Sequence, residues 1–259
     1  MLLQIAAKKR LRVDEARKKV PLSEIEKRLE QAEAPRPFYQ ALLMPGMSVI
    51  AEVKKASPSK GDFGLTLTVE ELARAYESGG ARAISVLTEE DFFKGSATDL
   101  VKVKSAVTLP VLRKDFIIDS YQLYESRALG ADAVLLIAGF LPEKELRAYL
   151  QICDELDLAA VVETHSADEI QMALTAGARI VGINNRNLQN FTTDVNHTLQ
   201  LAPQIPDNVL LVSESGIESA VDVHLLGAAG ADAVLVGETL VRSANPTAKI
   251  RELTGRKSA

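Results

Sequence analysis

Glu52, Lys54, Lys114, Glu163, Asn184 and Glu214 each stand where an apolar, strand-like run gives way to a polar turn. Glu52 and Lys54 are two apart, so in an extended chain a carboxylate and an ammonium share one face. Arg186 lies two residues beyond Asn184 in the same way. Taken singly, each has an ordinary explanation: an exposed ion pair for Glu52 and Lys54, a surface turn with Arg113 and Asp115 for Lys114, a helix cap for Glu163. Together at equivalent positions they describe one mouth lined by two lysines and several carboxylates. Burial and mutual interaction in such a cluster move pKa values apart, which supplies a proton donor and a proton acceptor near neutrality.

A second pattern points to an anion. Ser213-Glu214-Ser215-Gly216-Ile217 and Val236-Gly237-Glu238-Thr239 each follow an apolar run and place glycine where backbone can approach a ligand. Ordinary turn glycines are the alternative. Glu238 is an awkward neighbour for an anion, so its side chain is expected to point away while its N–H donates.

The elements that must position these residues are legible from a repeat. Segments 78–87, 128–137, 175–184 and 228–237 each run from a helix end through a glycine into an apolar strand; the glycines Gly80, Gly130, Gly177 and Gly230 are spaced 50, 47 and 53 apart. That spacing fits two strand–helix units per repeat. Four further strands are expected at 49–54, 109–114, 158–163 and 209–215. Thr68 with Glu71, and Ser166 with Glu169, have the capping-box spacing of helix starts. Eight strands alternating with helices predict an α/β fold, a (β/α)8 TIM barrel spanning 46–259, with an N-terminal helical extension over 1–45 as part of one domain. An open doubly wound sheet is the alternative, but no Gly-x-Gly-x-x-Gly turn follows the first strand. Within the extension, helices are expected over 2–20 and, from a capping box at Ser23 and Glu26, over 24–31.

Composition narrows the function. With 47 % hydrophobic and 25 % charged residues in 259, the chain reads as globular, and no apolar run approaches the ~20 residues that span a bilayer. A formal charge of −5 argues against a nucleic-acid partner held by a broad basic surface. Cys153 is the one cysteine and falls in a helical pattern; His165, His197 and His224 lack ligand spacing, so no metal is expected. The first 30 residues carry nine Lys/Arg against five Asp/Glu, but acidic residues interrupt the basic ones and no cleavage pattern follows. A cytoplasmic protein is expected.

Read in order, Glu52-Val53-Lys54-Lys55-Ala56-Ser57-Pro58-Ser59-Lys60-Gly61, Leu112-Arg113-Lys114-Asp115-Phe116-Ile117, 182–188, Val212-Ser213-Glu214-Ser215-Gly216-Ile217 and Val236-Gly237-Glu238-Thr239-Leu240 resemble the indole-3-glycerol-phosphate synthase family. The resemblance covers nearly the whole chain; Ser120 and the residues around Glu163 depart from it. It implies a lyase of tryptophan biosynthesis that needs no cofactor and acts on a small phosphorylated substrate, 1-(2-carboxyphenylamino)-1-deoxyribulose 5-phosphate. It further implies Lys114 as the general acid of ring closure, Lys54 as partner of the substrate anions and donor in dehydration, and Glu163 as base. Glu52, Asn184 and Glu214 would orient these groups, and Arg186 would hold a carboxylate. Ser57, Ser215, Gly216, Gly237 and Glu238 would form the phosphate site. Pro58, Phe93, Phe116 and Leu235 would sandwich the aromatic ring. The 57–61 turn is expected to be a mobile loop. A monomer or weak homodimer without a fused partner enzyme is expected. The rivals are a phosphoribosylanthranilate isomerase-like barrel, expected to use a cysteine and an aspartate, and a non-catalytic barrel that binds a phosphorylated ligand.

Overall fold

A computed structural model describes residues 2–58, 60–187 and 192–255. Ser59 and Leu188, which belong to two of the motifs above, lie outside the described residues.

Eight parallel strands close into a barrel: β1 (Ser48–Val53), β2 (Ala83–Leu87), β3 (Val111–Lys114), β4 (Ala133–Ile137), β5 (Ala159–Thr164), β6 (Ile180–Asn184), β7 (Leu210–Glu214) and β8 (Ala233–Val236). Each strand pairs with its sequence neighbours and β1 closes on β8, so no edge is left exposed. This closure excludes the open sheet. The repeat has its expected cause: Gly80, Gly130, Gly177 and Gly230 all have φ between 88° and 100°, a left-handed turn that ends a helix and feeds the next strand.

Alternation decides what each strand contributes. Ile50, Leu112, Val161, Val212 and Leu235 fill the barrel interior, whereas Val49, Val111, Val162 and Leu211 pack against the surrounding helices. Glu52, Lys114, Glu163, Asn184 and Glu214 share the inward parity and so crown the interior at the C-terminal ends of the strands. At the opposite end Phe38 and Leu42 of α3 (Phe38–Leu42) join the interior cluster and plug the barrel.

The N-terminal segment begins with α1 (Leu2–Lys19) and α2 (Leu22–Leu29). The Ser23 capping box does not form. Pro21, extended at φ −59° and ψ 153°, starts α2 two residues earlier than expected and leaves Ser23 inside the first turn, where no cap is needed. The box at Thr68 closes in both directions; at Ser166 only half of it forms, the hydroxyl accepting the Glu169 amide while the Glu169 carboxylate accepts from the His165 amide instead of the Ser166 amide.

Helix α1 is tied to the mouth by a buried charge cluster. Lys9 Nζ lies 2.6 Å from Asp115 Oδ1, and Asp115 also accepts from Thr88 Oγ1 (2.7 Å) and the Phe116 amide (2.8 Å). Burial raises the Asp115 carboxyl, but the Arg113 and Lys9 cations outweigh it and hold it below the ordinary value. Asp115→Ala leaves Lys9 and Arg113 buried without this partner and is expected to cost about 3–5 kcal/mol in urea unfolding at pH 7. Because the depressed carboxyl stabilises above its unfolded pKa, the deficit should shrink as pH falls.

Candidate active site

The strand ends open into a cavity of about 880 Å³. All of the expected site residues line it except Ser57: Glu52, Lys54, Lys114, Glu163, Asn184 and Glu214 on the floor and lower wall, with Pro58, Phe93, Phe116, Arg186, Ser215, Gly216, Leu235, Gly237 and Glu238 around them. Ser57 is buried in a short hairpin in which Ala56–Ser57 pairs with Gly61–Asp62, and its Oγ accepts the Lys60 amide at 3.2 Å. That contact closes the turn, and Ser57 is not among the residues that line the cavity.

Lys114 is the centre of the charged floor. Its Nζ stands 3.4 Å from Glu163 Oε2 and 3.5 Å from Glu214 Oε2. Burial works to lower the pKa of this ammonium, but Glu163, Glu214 and Glu52 more than offset that and raise it. Burial likewise works to raise Glu163, yet Lys114, His165 and a hydrogen bond from Asn184 bring it below the ordinary carboxylate value. Glu214 goes the other way. Its two oxygens are buried without a hydrogen-bond partner among the described residues, and burial with the charges of Glu163 and Glu52 pushes it up to about 8 despite Lys114. Two neighbouring carboxyls thus hold opposite protonation tendencies around one ammonium.

Lys54 lies just beyond β1 and pairs with Glu52 Oε1 at 2.9 Å. Gly237 makes room for that pair. A Cβ there would collide with Glu52 Oε1 and come within 3.1 Å of Lys54 Nζ. Gly237→Ala is therefore expected to displace both groups and to lower kcat/KM about 10²-fold, since a misplacement near 1 Å costs that much; unchanged steady-state kinetics would refute the steric reading.

Glu238 departs from expectation. Its carboxylate is not turned away but lies among cations, 3.0 Å from Arg242 Nε and 3.9 Å from both Arg186 and Lys60. Arg242 stands four residues on, at the end of the same short helix (Glu238–Val241), whereas Lys60 and Arg186 come from other loops, which local sequence does not bring together.

The fold of the loop after β7 is strained. Ser215 has φ 68° and Gly216 φ 76°, and a Cβ on Gly216 would run into Thr193. Asn185 maintains this shape: Nδ2 donates to Ser213 Oγ and to the Ser215 carbonyl, both at 3.0 Å, while Oδ1 accepts from the Thr198 amide and hydroxyl.

The chain was compared with known proteins. The family model described as indole-3-glycerol phosphate synthase matches residues 2–253. The chain belongs to that family. An indole-3-glycerol phosphate synthase of Carboxydothermus hydrogenoformans is 47 % identical over 253 residues, covering 95 % of this chain and 96 % of its relative. One of Ruminiclostridium cellulolyticum is 44 % identical over 257 residues, covering 98 % and 99 %. Among solved structures, 3-hexulose-6-phosphate synthase from Salmonella typhimurium superposes with a TM-score of 0.64 at 17 % identity, over 81 % of this chain and 97 % of that one, which is a likeness of fold.

Within this indole-3-glycerol phosphate synthase family member, several cavity residues were not singled out from sequence. Ile5 of α1 and Phe140 after β4 line the wall. Phe140 meets Phe116 edge-on at 5.5 Å, and Phe93 lies 6.2 Å from Phe116, so three rings form one apolar side. Asn185 has the outward parity next to Asn184, and nothing in its own neighbourhood marks it as a clamp. His165 could have been found, because it follows Glu163 by two residues.

Proposed function

We propose that this chain converts 1-(2-carboxyphenylamino)-1-deoxyribulose 5-phosphate to indole-3-glycerol phosphate with loss of CO2 and water. The observation that carries this reading is the Lys114 ammonium, kept charged between Glu163 and Glu214 at the floor of a cavity with one aromatic wall.

The roles follow from the charges. Attack of the carboxylate-bearing ring carbon on the ketone places negative charge on the ketone oxygen, and Lys114 donates the proton that quenches it. Departure of CO2 leaves its bonding electrons with the ring and restores aromaticity. The new hydroxyl then leaves as water with a proton from Lys54, while Glu163 takes the proton released as the five-membered ring becomes unsaturated. Two protons are given and one is taken, so each turnover draws one proton from water. Asn184 and Glu52 orient Glu163 and Lys54. Phe93, Phe116, Pro58 and Leu235 hold the aromatic ring, and Arg186 holds its carboxylate. Ser215, Gly216 and Gly237 offer backbone to the phosphate, with Lys60 and Arg242 supplying nearby positive charge; Glu238 orders those cations.

An isomerase reading would need a reactive cysteine, but Cys153 is buried in the helix Glu143–Glu155 and burial raises its thiol to about 12. A barrel that only binds its ligand has no use for the acid and base set. The chain contains no Trp, so indole fluorescence appearing when the carboxyphenylamino substrate is added is read with little protein background. Product formation supports the reading; folded protein that yields no indole signal removes it.

A further inference from the structure

We propose that His165 is a positioning residue that carries protons between Glu163 and Glu169, linking the floor of the active site to a second cavity behind it. The imidazole bridges two carboxylates: Nε2 lies 3.5 Å from Glu163 Oε1, and Nδ1 lies 3.5 Å from Glu169 Oε2. Nε2 is buried and makes no hydrogen bond among the described residues, and the ion-pair contact it makes is to the carboxylate assigned as the base. The ring is held in place through its backbone. The Glu169 carboxylate accepts the His165 amide at 2.7 Å, and His197 Nε2 meets the His165 carbonyl at 3.0 Å. Distances of this size shorten to direct hydrogen bonds as catalytic groups tighten around substrate.

The second cavity, about 490 Å³, includes His165, Glu169, Asn185, His197 and Gln200 in its lining and shares Asn184 with the active site. It supplies what the reaction needs. Glu163 is 4 % exposed, and a substrate filling the main cavity covers it from the mouth. Glu163 must release the proton it has taken, and a proton from water must return to the lysines in every turnover. A proton passing from Glu163 to Nε2, with loss of the Nδ1 proton to Glu169, moves charge to the second cavity without reopening the first; the reverse sequence brings a proton in.

The charged groups facing the ring are Glu163 from β5, Glu169 from the helix Ala167–Ala176 and Glu214 from β7, while His197 of the helix Asn196–Leu201 faces its carbonyl and Arg186 and Asp194 line the same cavity. Burial lowers the imidazole pKa, and the surrounding carboxylates raise it by more.

This proposal rests on the ring-closure reading, so wild-type turnover is measured first. His165→Ala is expected to lower kcat about tenfold with KM within about twofold, in the range of proton-transfer contributions. Added imidazole should restore most of the loss by entering the vacated space. Removing the cation that helps depress Glu163 should move the acid limb of the kcat/KM profile to higher pH. If His165→Ala does not fold, Glu169→Gln is expected to lower kcat about threefold and to shift the kcat profile. Product from the wild type with unchanged kcat in the variant that folds overturns the relay alone, as does a loss that imidazole does not relieve and that leaves the pH profile in place. No product from the wild type removes the reaction and the relay together.

Discussion

Lys114→Ala is expected to reduce kcat by about 10³-fold or more while changing the affinity for substrate by no more than about tenfold. The asymmetry follows from where the ammonium acts: the ketone oxygen is neutral in the bound substrate and gains charge only as the new bond forms, so the loss falls on the transition state. A second effect compounds the first. Lys114 is the cation between Glu163 and Glu214, and without it two buried carboxylates face each other. Glu214 already tends to keep its proton, so the loss falls on Glu163, whose carboxyl rises without the cation that chiefly depresses it. The variant therefore lacks its acid and has a compromised base at neutral pH, and the acid limb of its residual activity should move upward. Single-turnover rates with a ligand-binding measurement separate these terms. A kcat within tenfold of wild type would remove Lys114 from the acid role.

Glu214→Gln should trade activity for stability, and the sign depends on pH. A carboxyl raised from 4.5 to about 8 by folding keeps its proton in the native state where the unfolded chain has lost it. Its contribution is full below the unfolded value and is lost as pH rises through 4.5 to about 8. Above that range the native state holds an ionised group whose oxygens lack hydrogen bonds. Glutamine has nearly the shape of the protonated carboxyl and no charge to bury. At pH 9 the variant is expected to gain about 1–4 kcal/mol in urea unfolding, the scale seen when buried ionic groups are replaced by neutral ones. At pH 4 the gain should nearly vanish. Turnover should change little at pH 7, where the raised Glu214 carboxyl is largely protonated, and fall above about pH 8, where the wild-type residue ionises and its charge helps to hold Lys114 protonated. Equal stability differences at both pH values would show that burial does not govern Glu214.

Much of this architecture was legible because two of its rules are local. A left-handed glycine at the end of a helix constrains its own backbone, so four of them at regular spacing declared the strand–helix pairs. Strand alternation constrains direction, so Glu52, Lys114, Glu163, Asn184 and Glu214 could be assigned to one interior before any contact was known. Contacts between loops obey neither rule. Glu238 was expected to turn outward because its own neighbours suggest an anion site; besides Arg242 four residues on, the cations beside it arrive from residues 60 and 186. Ser57 was assigned to the ligand on the strength of its motif; that its Oγ accepts the Lys60 amide inside a hairpin is a contact the motif does not reveal. Ser23 has the spacing of a cap, but Pro21 two residues earlier already set the helix start. Asp115 read as a turn residue because Lys9, its buried partner, lies about a hundred positions away in the sequence.

That last pair has a thermodynamic corollary. Asp115 directly follows Lys114, and Ile5 and Asp115 both line the cavity, so the docking of α1 and the geometry of the acid share one boundary. Any ligand that contacts this boundary favours the docked helix, and by reciprocity the docked helix favours the ligand by the same factor. The N-terminal helix then belongs to the binding equilibrium itself, and saturating the cavity should protect its amides from hydrogen exchange even where no ligand atom touches them.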